Sequence, residues 1–186
     1  MIIVPWAIPF VVSGIIWRWM LNPNVGIINV ILKKMGVITM SVNWLSNRNF
    51  ALPAVVLADV WQGTPFFIII ILAGLQTIPS ELYEAAVVDG AGSFRKFISI
   101  TLPLIRFPLF TVAILGTIFS INQFDLFYIM TRGGPANYTR VVTLYDWQIA
   151  FKSFNVSYAS AISYLILVLS LVITIIYVRI LAKGGR

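Results

Sequence analysis

The sequence predicts an all-α membrane protein, and three of its features carry that prediction. Of the 186 residues, 60% are hydrophobic and only 10% are charged, whereas soluble domains carry about 25% charged residues. Several apolar segments are about 20 residues long, the length that a helix needs to cross a bilayer. Polar loops rich in glycine, proline and asparagine separate these segments. We therefore expect a single transmembrane domain over residues 1–186 with about four spanning helices.

Charge and composition narrow the class of protein further. The net charge is +7, but the 13 basic residues are scattered along the chain, so their expected partners are membrane lipid headgroups and not nucleic acid. The sequence contains no cysteine and no histidine, which argues against disulfides, thiolate chemistry and histidine-based metal sites or catalysis. It also lacks a phosphate-binding GxxxxGK(S/T) motif. We therefore expect a protein that is not an enzyme and does not itself hydrolyse nucleotide.

The first span is predicted over residues 1–21, where Pro5 and Pro9 can each start or kink a helix. Arg18 lies near the end of this span between two tryptophans, a pattern typical of a membrane–water interface. The loop that follows is polar and rich in turns. Within it, residues 27–35 have the pattern of a short amphipathic helix.

Three further apolar segments are long enough to span a membrane. The second span is predicted over 51–75, and we expect Gly63 and Pro65 to bend or locally unwind it. The third is predicted over 104–130. The last is predicted over 158–181, and its 24 residues would cover about 36 Å as a helix.

A polar helix–turn–helix is predicted between the second and third spans, over residues 79–103. A first helix over 81–88 is expected to end at Gly90, because glycine accepts the left-handed conformation that a helix terminus needs. Ser93 is expected to cap a second helix, and Pro103 is expected to stop it. The segment would therefore lie in water and be tethered to the membrane on both sides.

Polar side chains interrupt the second and third spans at a similar distance from one membrane surface. Polar groups in lipid are costly and usually face a cavity or a partner. Carboxylates, amides and aromatic rings also bind sugars through hydrogen bonds and ring stacking. The candidates for lining a substrate path are Asp59, Gln62, Asn122, Gln123, Asp125 and Tyr128. The alternatives are that Asp59 and Asp125 only hydrogen-bond to neighbouring helices, or that they relay protons.

The segment 79–103 carries a fixed spacing of residue types. Glu84-Ala85-Ala86 is followed by Gly90, then by Ile100 and by Leu102-Pro103. This pattern resembles the EAA signature of permease subunits of binding-protein-dependent ABC importers. The resemblance implies that the segment is a coupling helix that docks on a cytoplasmic ATPase through Glu84, Ala85, Ala86, Asp89, Gly90, Ala91, Ile100, Leu102 and Pro103. The alternative is a surface helix that merely joins two spans.

The resemblance extends over most of the chain. Ala73-Gly74-Leu75-Gln76 and Thr131-x-Gly133-Gly134-Pro135 resemble the carbohydrate-uptake branch, of the maltose or glycerol-3-phosphate type. The resemblance implies the transmembrane domain of a type I ABC importer for di- or oligosaccharides, polyols or glycerol phosphates. It also implies no cofactor in this chain, because ATP and Mg would be bound by a partner ATPase dimer. Its further implied partners are a second permease subunit and an extracytoplasmic solute-binding protein.

The resemblance also sets the expected location and orientation. It implies the cytoplasmic (inner) membrane of a bacterium or archaeon, with the C-terminus and the loop 79–103 in the cytoplasm, whereas the basic residues on the two sides do not decide the orientation. Members of this branch normally have six spans, and the two that would precede residues 1–21 are missing. We therefore expect a fragment, an internal start methionine or a reduced gene.

Two other classes of function stay open at this point. A truncated chain could be a non-transporting membrane scaffold that still binds an ATPase. An ion-coupled secondary transporter could use Asp59 and Asp125, although the EAA spacing has no explanation in that case and four spans without an internal repeat fit it poorly.

Overall fold

The computed structural model describes the backbone of residues 3–184 and the side chains of residues 3–180, and all regular structure in that range is helical. The all-α prediction is therefore confirmed. The helices are α1 Val4–Ala7, α2 Phe10–Met20, α3 Ile27–Lys34, α4 Ala51–Gln76, α5 Ser80–Val88, α6 Ser93–Lys96, a π-helical turn Phe97–Thr101, α7 Leu102–Leu104, α8 Arg106–Ile121, α9 Asp125–Met130, α10 Val142–Phe151 and α11 Val156–Gly184.

Two of these helices are long and apolar enough to cross a membrane by themselves. They are Ala51–Gln76, with a mean hydropathy of 1.9, and the part of α11 from Val156 to Ile180, with a mean hydropathy of 2.6. A third candidate is the pair Ser93–Leu104 and Arg106–Ile121, which is bent by 66°. The described residues therefore contain two or three candidate spans, fewer than the four predicted. The helices α4 and α11 lie where the second and last spans were predicted.

The predicted first span, 1–21, is divided in the structure, and its residues 1 and 2 lie outside the described range. Helix α1 ends at Ala7, α2 begins at Phe10, and Ile8 between them is extended, with φ −83° and ψ 132°. The cause is Pro9, because a residue that precedes proline avoids the helical region and the proline itself donates no hydrogen bond.

The predicted third span, 104–130, is also divided. Helix α8 ends at Ile121, and α9 begins at Asp125 after a short non-helical linker. The hydroxyl of Thr143, 20 positions away, donates a hydrogen bond of 2.7 Å to the carbonyl of Gln123. In a continuous helix a backbone N–H would have donated to this carbonyl instead. By contrast, α4 runs without interruption through Pro65, so of the two expected outcomes, a bend or a local unwinding, the unwinding does not occur.

The described chain forms two compact units. The first comprises the residues up to Pro65 together with Ile121–Leu167. In it α2 packs closely on α9, because a Cβ atom added to Gly14 would lie 2.9 Å from Cγ2 of Ile129. Its buried apolar core consists of Trp17, Leu21, Ala54, Val55, Ala58, Leu126, Phe127, Met130 and Leu144.

The second unit comprises Phe66–Ser120 and the described residues from Val168 onward. Here the end of α4 lies against α8 without room for a side chain at Gly74, where an added Cβ would lie 2.3 Å from Cγ of Pro108. Aromatic rings fill the neighbouring space, with the ring centroids of Phe66 and Phe119 6.1 Å apart. The second unit therefore holds the segment 79–103 on closely packed helices.

Candidate functional site

The turn of the segment 79–103 has the geometry that its sequence predicts. Helix α5 ends in a Schellman motif, in which Ala91 N–H donates to the carbonyl of Ala86 at 2.8 Å and Gly90 N–H donates to that of Val87 at 3.0 Å. Gly90 has φ +73° and nothing within 4 Å of the position of an added Cβ. Glycine is therefore required at this position by the backbone conformation and not by crowding.

The second half of the segment differs from the prediction. Gly92 is the N-cap residue, and Ser93 is the first helical residue without a side-chain capping bond. The helical path also passes through Pro103 and breaks at Ile105, so both the predicted cap and the predicted stop are wrong. A π-helical turn over Phe97–Thr101 precedes the proline. Such a widened turn re-routes the backbone hydrogen bonds next to a residue that has no N–H to donate.

The two halves of the segment are tied together and present an apolar surface. The hydroxyls of Tyr83 and Thr101 lie 2.8 Å apart. Val88 is 88% exposed and Phe94 76% exposed, and Leu82, Val87, Phe97 and Ile98 are also exposed. Of the nine predicted coupling residues, Ala86, Ala91 and Ile100 are half-buried; the exposed ones are Glu84, Ala85, Asp89, Gly90, Leu102 and Pro103. An exposed apolar cluster of this kind is typical of a surface that binds a partner.

Two of the predicted substrate-path residues are paired in the first unit. Nε2 of Gln123 donates a hydrogen bond of 2.6 Å to Oδ1 of Asp59, across 64 positions of sequence. Both side chains are half-buried. The pair joins α4 to the linker between α8 and α9, and it brings a carboxylate and an amide to one place, as predicted from their similar depth in the two spans.

Gln62 lies one turn further along α4 and has a different partner. Its side chain is only 2% exposed, and Nε2 donates a hydrogen bond of 2.7 Å to the carbonyl of Ile8. This carbonyl is the one left without a helical donor by the break before Pro9. Oε1 of Gln62 is buried and has no hydrogen-bond partner among the described residues. The geometry therefore gives Gln62 a structural contact and one unused acceptor.

The remaining three candidates lie on or beside α9. Asp125 occupies the first turn of α9, where a negative charge is favourable, and Asn122 precedes it in the linker. Tyr128 belongs to a cluster of aromatic rings: it stacks on Phe124 with ring centroids 5.3 Å apart and meets the edge of Trp147 at 4.8 Å. The structure thus divides the six candidates into three groups. Two form a hydrogen-bonded pair, one is the buried amide of Gln62, and three lie in or next to the aromatic cluster in the sequence: Asn122, Asp125 and Tyr128.

A cleft of about 630 Å³ in the first unit contains polar residues that the sequence analysis did not single out. Asp146 on α10 and Ser163 on α11 both line it, and Ser163 Oγ donates a hydrogen bond of 2.5 Å to Asp146 Oδ2. Asp146 was missed because no helix was expected between the predicted spans 104–130 and 158–181, whereas Val142–Phe151 is a helix. The spacing of Trp147 and Phe151, at i and i+4, was the available signal.

The glycine-rich loop after α9 is fixed by two threonines. The hydroxyls of Thr131 and Thr139 lie 2.6 Å apart, and Thr139 Oγ1 lies 2.7 Å from the carbonyl of Gly134, to which it can donate. Gly133 has φ +89°. The spacing Thr-x-Gly-Gly-Pro-x-x-x-Thr therefore has a structural explanation, because each threonine holds the loop that the glycines allow to form. Within the described residues, no three acidic, cysteine or histidine side chains form a group that could hold a metal ion.

Comparison with known proteins places the chain in a family. Residues 1–184 match the family of the binding-protein-dependent transport system inner membrane component, and the chain belongs to that family. It is a family of membrane components of transport systems, which agrees with the prediction of a transport component that is not an enzyme.

Curated relatives are permease proteins of transport systems. The chain is 43% identical over 182 residues to the trehalose/maltose transport system permease protein MalF of Thermococcus litoralis, covering 96% of this chain and 60% of that protein. It is 37% identical over 180 residues to the sulfoquinovosyl glycerol transport system permease protein SmoG of Agrobacterium fabrum, covering 97% of this chain and 58% of that one. The chain therefore spans about three-fifths of the length of these relatives.

Solved structures share the fold. A chain of a bacterial ABC transporter involved in the import of the acidic polysaccharide alginate matches with a TM-score of 0.83 and 24% identity, over 98% of this chain and 63% of that one. A second alginate ABC transporter structure, in complex with an alginate pentasaccharide-bound periplasmic protein, matches with a TM-score of 0.80 over 95% of this chain and 61% of that one. The fold is therefore that of an ABC importer membrane domain, as predicted.

Proposed function

We propose that this chain is a permease subunit of an ATP-driven carbohydrate importer. Its spans form part of the translocation path, and the segment 79–103 couples that path to a cytoplasmic ATPase. The observation that carries the proposal is the exposed helix–turn–helix of this segment, which has the left-handed Gly90 and the exposed Glu84 of the EAA spacing in place. The family match over residues 1–184 supports it.

The proposed substrates are di- or oligosaccharides, polyols or glycerol phosphates. Support comes from the relatives, whose names specify trehalose, maltose and sulfoquinovosyl glycerol, and from the side chains that the first unit brings together. The Asp59–Gln123 pair offers a carboxylate and an amide to hydroxyl groups. Asn122, Asp125 and Tyr128 add polar and aromatic groups next to it in sequence.

The proposed assembly contains a second permease subunit, an ATPase dimer that binds ATP and Mg, and an extracytoplasmic solute-binding protein. The loop 79–103 and the C-terminus would face the cytoplasm. The exposed apolar side chains of Leu82, Val88 and Phe94 support a docking role for the loop, because burying such side chains against a protein surface is favourable.

The test compares two glutamates on the same helix. Glu84 belongs to the EAA spacing and Glu81 does not, yet both are exposed on α5. The chain is purified with its partner subunits, reconstituted in proteoliposomes and assayed for sugar uptake and for sugar-stimulated ATP hydrolysis. Glu84→Lys is expected to reduce both by about tenfold or more, because reversing a charge within a protein interface costs several kcal/mol. Glu81→Lys is expected to retain most of the activity.

Three outcomes would contradict the proposal. Equal activity of the two variants would reject the coupling role of Glu84. Recovery of an ATPase without any sugar uptake would favour the scaffold. Uptake that survives ATP depletion but collapses with an uncoupler would favour an ion-coupled transporter.

A further inference from the structure

A second cavity of the first unit lies at the end of α2. It has a volume of about 430 Å³, within the usual range for small-molecule sites. Its lining comes from the last turn of α2 with the residues after it, from the loop before α4, and from the end of α9 with the loop after it. All of these parts belong to the first unit. The cavity shares no lining residue with the cleft beside α10 or with the Asp59–Gln123 pair.

The walls of the cavity are held in place by contacts within and between the two loops. The guanidinium of Arg48 lies over the ring of Tyr138, 3.8 Å from its centroid, and so joins the loop before α4 to the loop after α9. Asn29, only 3% exposed, donates to the carbonyl of Val42 at 2.9 Å and accepts from Nε1 of Trp44 at 3.1 Å. The loop after α9 is fixed by the two threonines described above. The cavity is therefore formed before any ligand arrives.

The oxygen atoms of the lining are largely used by the protein itself. The side-chain Oδ1 of Asn22 accepts two backbone N–H groups, at 2.9 and 3.2 Å. The backbone carbonyls of the lining that accept a hydrogen bond from within the protein are those of Asn22, Asn43, Thr131 and Gly134. Few hydrogen-bond acceptors are therefore left for a ligand.

The hydrogen-bond donors of the lining are largely unused and can be reached. Arg18 is exposed, and its guanidinium makes one long hydrogen bond, from Nη1 to the carbonyl of Ile129 at 3.5 Å. Nδ2 of Asn22 and the side chains of Asn43 and Ser46 donate to no other group in the described part of the chain, and Asn43 and Ser46 are exposed. No carboxylate lines the cavity. The lining therefore suits a ligand that is rich in acceptors.

The charge of the surrounding loops selects an anion among such ligands. Residues 22–50 and 131–141 contain no aspartate or glutamate, and their five basic residues are Lys33, Lys34, Arg48, Arg132 and Arg140. A surface with one sign of charge concentrates ligands of the opposite sign. The planar guanidinium of an arginine also matches the geometry of phosphate oxygens, to which it can donate two parallel hydrogen bonds.

We propose that this cavity binds a phosphate group, with the Arg18 guanidinium on one side and the donors of Asn22, Asn43 and Ser46 on the other. A phosphate presents acceptor oxygens in several directions, which fits donors that come from different parts of the chain. Two sources carry this chemistry. One is the headgroup of an anionic phospholipid, at the membrane surface that the 68% exposed Trp19 beside Arg18 indicates. The other is a soluble phosphate ester.

The test uses the absence of cysteine from the chain. Ser46→Cys places a single thiol on the cavity wall, and Ser41→Cys places one at an exposed position of the same loop outside the cavity. Each variant is purified with its partner permease and ATPase subunits, without ATP or a solute-binding protein, and placed in phosphatidylcholine nanodiscs. The rate of labelling by an uncharged bimane reagent is then measured.

The probes separate the two sources of phosphate. Phosphatidylglycerol mixed into the nanodisc tests the lipid, and glycerol-3-phosphate in phosphatidylcholine nanodiscs tests the soluble ester. Glycerol and sodium chloride at matched ionic strength are the controls. A phosphate in the cavity is expected to slow labelling of Ser46→Cys several-fold in a saturable manner and to leave Ser41→Cys unchanged. Protection by phosphatidylglycerol alone assigns the site to lipid, and protection by glycerol-3-phosphate assigns it to a soluble ester.

A matched pair of charge variants tests the role of Arg18. Adding Arg18→Gln to Ser46→Cys is expected to raise the amount of probe needed for half-protection by about tenfold or more, because it removes charge-assisted hydrogen bonds to the phosphate. Lys34→Gln removes the same charge from an exposed residue of the neighbouring loop that does not line the cavity. It is expected to leave protection nearly unchanged.

The proposal is overturned if neither phosphate probe protects Ser46→Cys, if sodium chloride protects it equally, or if a partner subunit keeps the thiol from being labelled in every lipid. Equal losses with Arg18→Gln and Lys34→Gln would also overturn it, because they would reflect the general charge of the loops and not a site. Because labelling needs neither ATP nor transport, its outcome is independent of the proposed function. Uptake without protection overturns only the site, and protection without uptake contradicts only the importer.

Discussion

Gln123 and Asp59 are 64 positions apart, yet the amide of one donates a hydrogen bond of 2.6 Å to the carboxylate of the other. The bond joins the middle of α4 to the non-helical linker between α8 and α9. A charge-assisted bond of this kind both holds the linker in place and keeps two side chains of the proposed substrate path together. Whether its main role is structural or in transport can be decided by exchanging the two groups.

The exchange uses three variants. Asp59→Asn weakens the bond, Gln123→Glu places two carboxylates against each other, and the double variant D59N/Q123E restores an amide–carboxylate pair with the groups reversed. We expect the double variant to recover the thermal stability that Gln123→Glu loses, but not sugar uptake, because a transported sugar meets each group at a fixed position. Uptake restored to the wild-type level would show that the pair is only a tie between helices.

Gly90 provides a prediction about coupling in which three glycines are compared. Gly90 and Gly36 have φ of +73° and +72°, Gly92 has φ −68°, and an added Cβ would meet nothing within 4 Å at any of them. Alanine at a left-handed position costs about 1–2 kcal/mol. We expect Gly90→Ala to reduce sugar-stimulated ATP hydrolysis severalfold, because it distorts the turn between the two halves of the proposed coupling segment, 79–103.

The other two glycines are the controls for this experiment. Gly36→Ala carries the same backbone strain outside the segment 79–103, and Gly92→Ala changes that segment without the strain. Both are expected to leave the stimulation of ATP hydrolysis nearly unchanged. A loss with Gly36→Ala equal to that with Gly90→Ala would mean that general destabilisation, and not the turn, is responsible.

Gln62 provides a prediction about stability. Gln62→Met removes the bond to the Ile8 carbonyl but also removes the unpaired Oε1, so we expect a small loss of about 1 kcal/mol. Gln62→Glu has the same shape but replaces the donor with a second acceptor in a buried place, and its expected cost is several times larger. The measurement is the unfolding temperature of the purified complex in detergent, with the exposed Gln76→Glu as the control. Equal tolerance of Met and Glu would indicate a wet cavity at Gln62 and would favour its assignment to the substrate path.

The orientation of the chain can be tested with single cysteines. Ala85 is exposed in the proposed cytoplasmic loop, and Met40 is 79% exposed in the loop before α4. An impermeant thiol reagent added to spheroplasts is expected to label Met40→Cys at once and Ala85→Cys only after the membrane is opened. The reverse order of labelling would invert the proposed topology.

Several elements follow directly from local sequence. The helices α4 and α11 lie within a few residues of the segments 51–75 and 158–181, because a long apolar run has no better conformation in lipid than a helix. The end of α5 at Asp89-Gly90 follows in the same way, because only glycine adopts a left-handed backbone at low cost. These features depend on residues that are close together in the sequence.

Other elements could not be read from the sequence. The π-helical turn before Pro103 was missed because a proline at this place is compatible with either the end or the continuation of a helix. The helix over Val142–Phe151 was missed because a short helix between polar turns has a weak apolar periodicity. The cleft was missed for a further reason, because Asp146 and Ser163 have no recognisable spacing and meet only when α10 and α11 pack together.

Local sequence was sufficient to specify the class of this protein, its two long spans and the turn at Gly90. A largely apolar composition means that the chain folds in a lipid bilayer, and a glycine with a left-handed backbone fixes a local turn. Packing between distant elements sets where the segment 104–130 breaks and which candidate carboxylate is paired. Those outcomes depend on hydrogen bonds such as Thr143 to Gln123 and Gln123 to Asp59. In each of these bonds a polar group finds its hydrogen-bond partner on an element that is distant in sequence. No local sequence pattern specifies that partner.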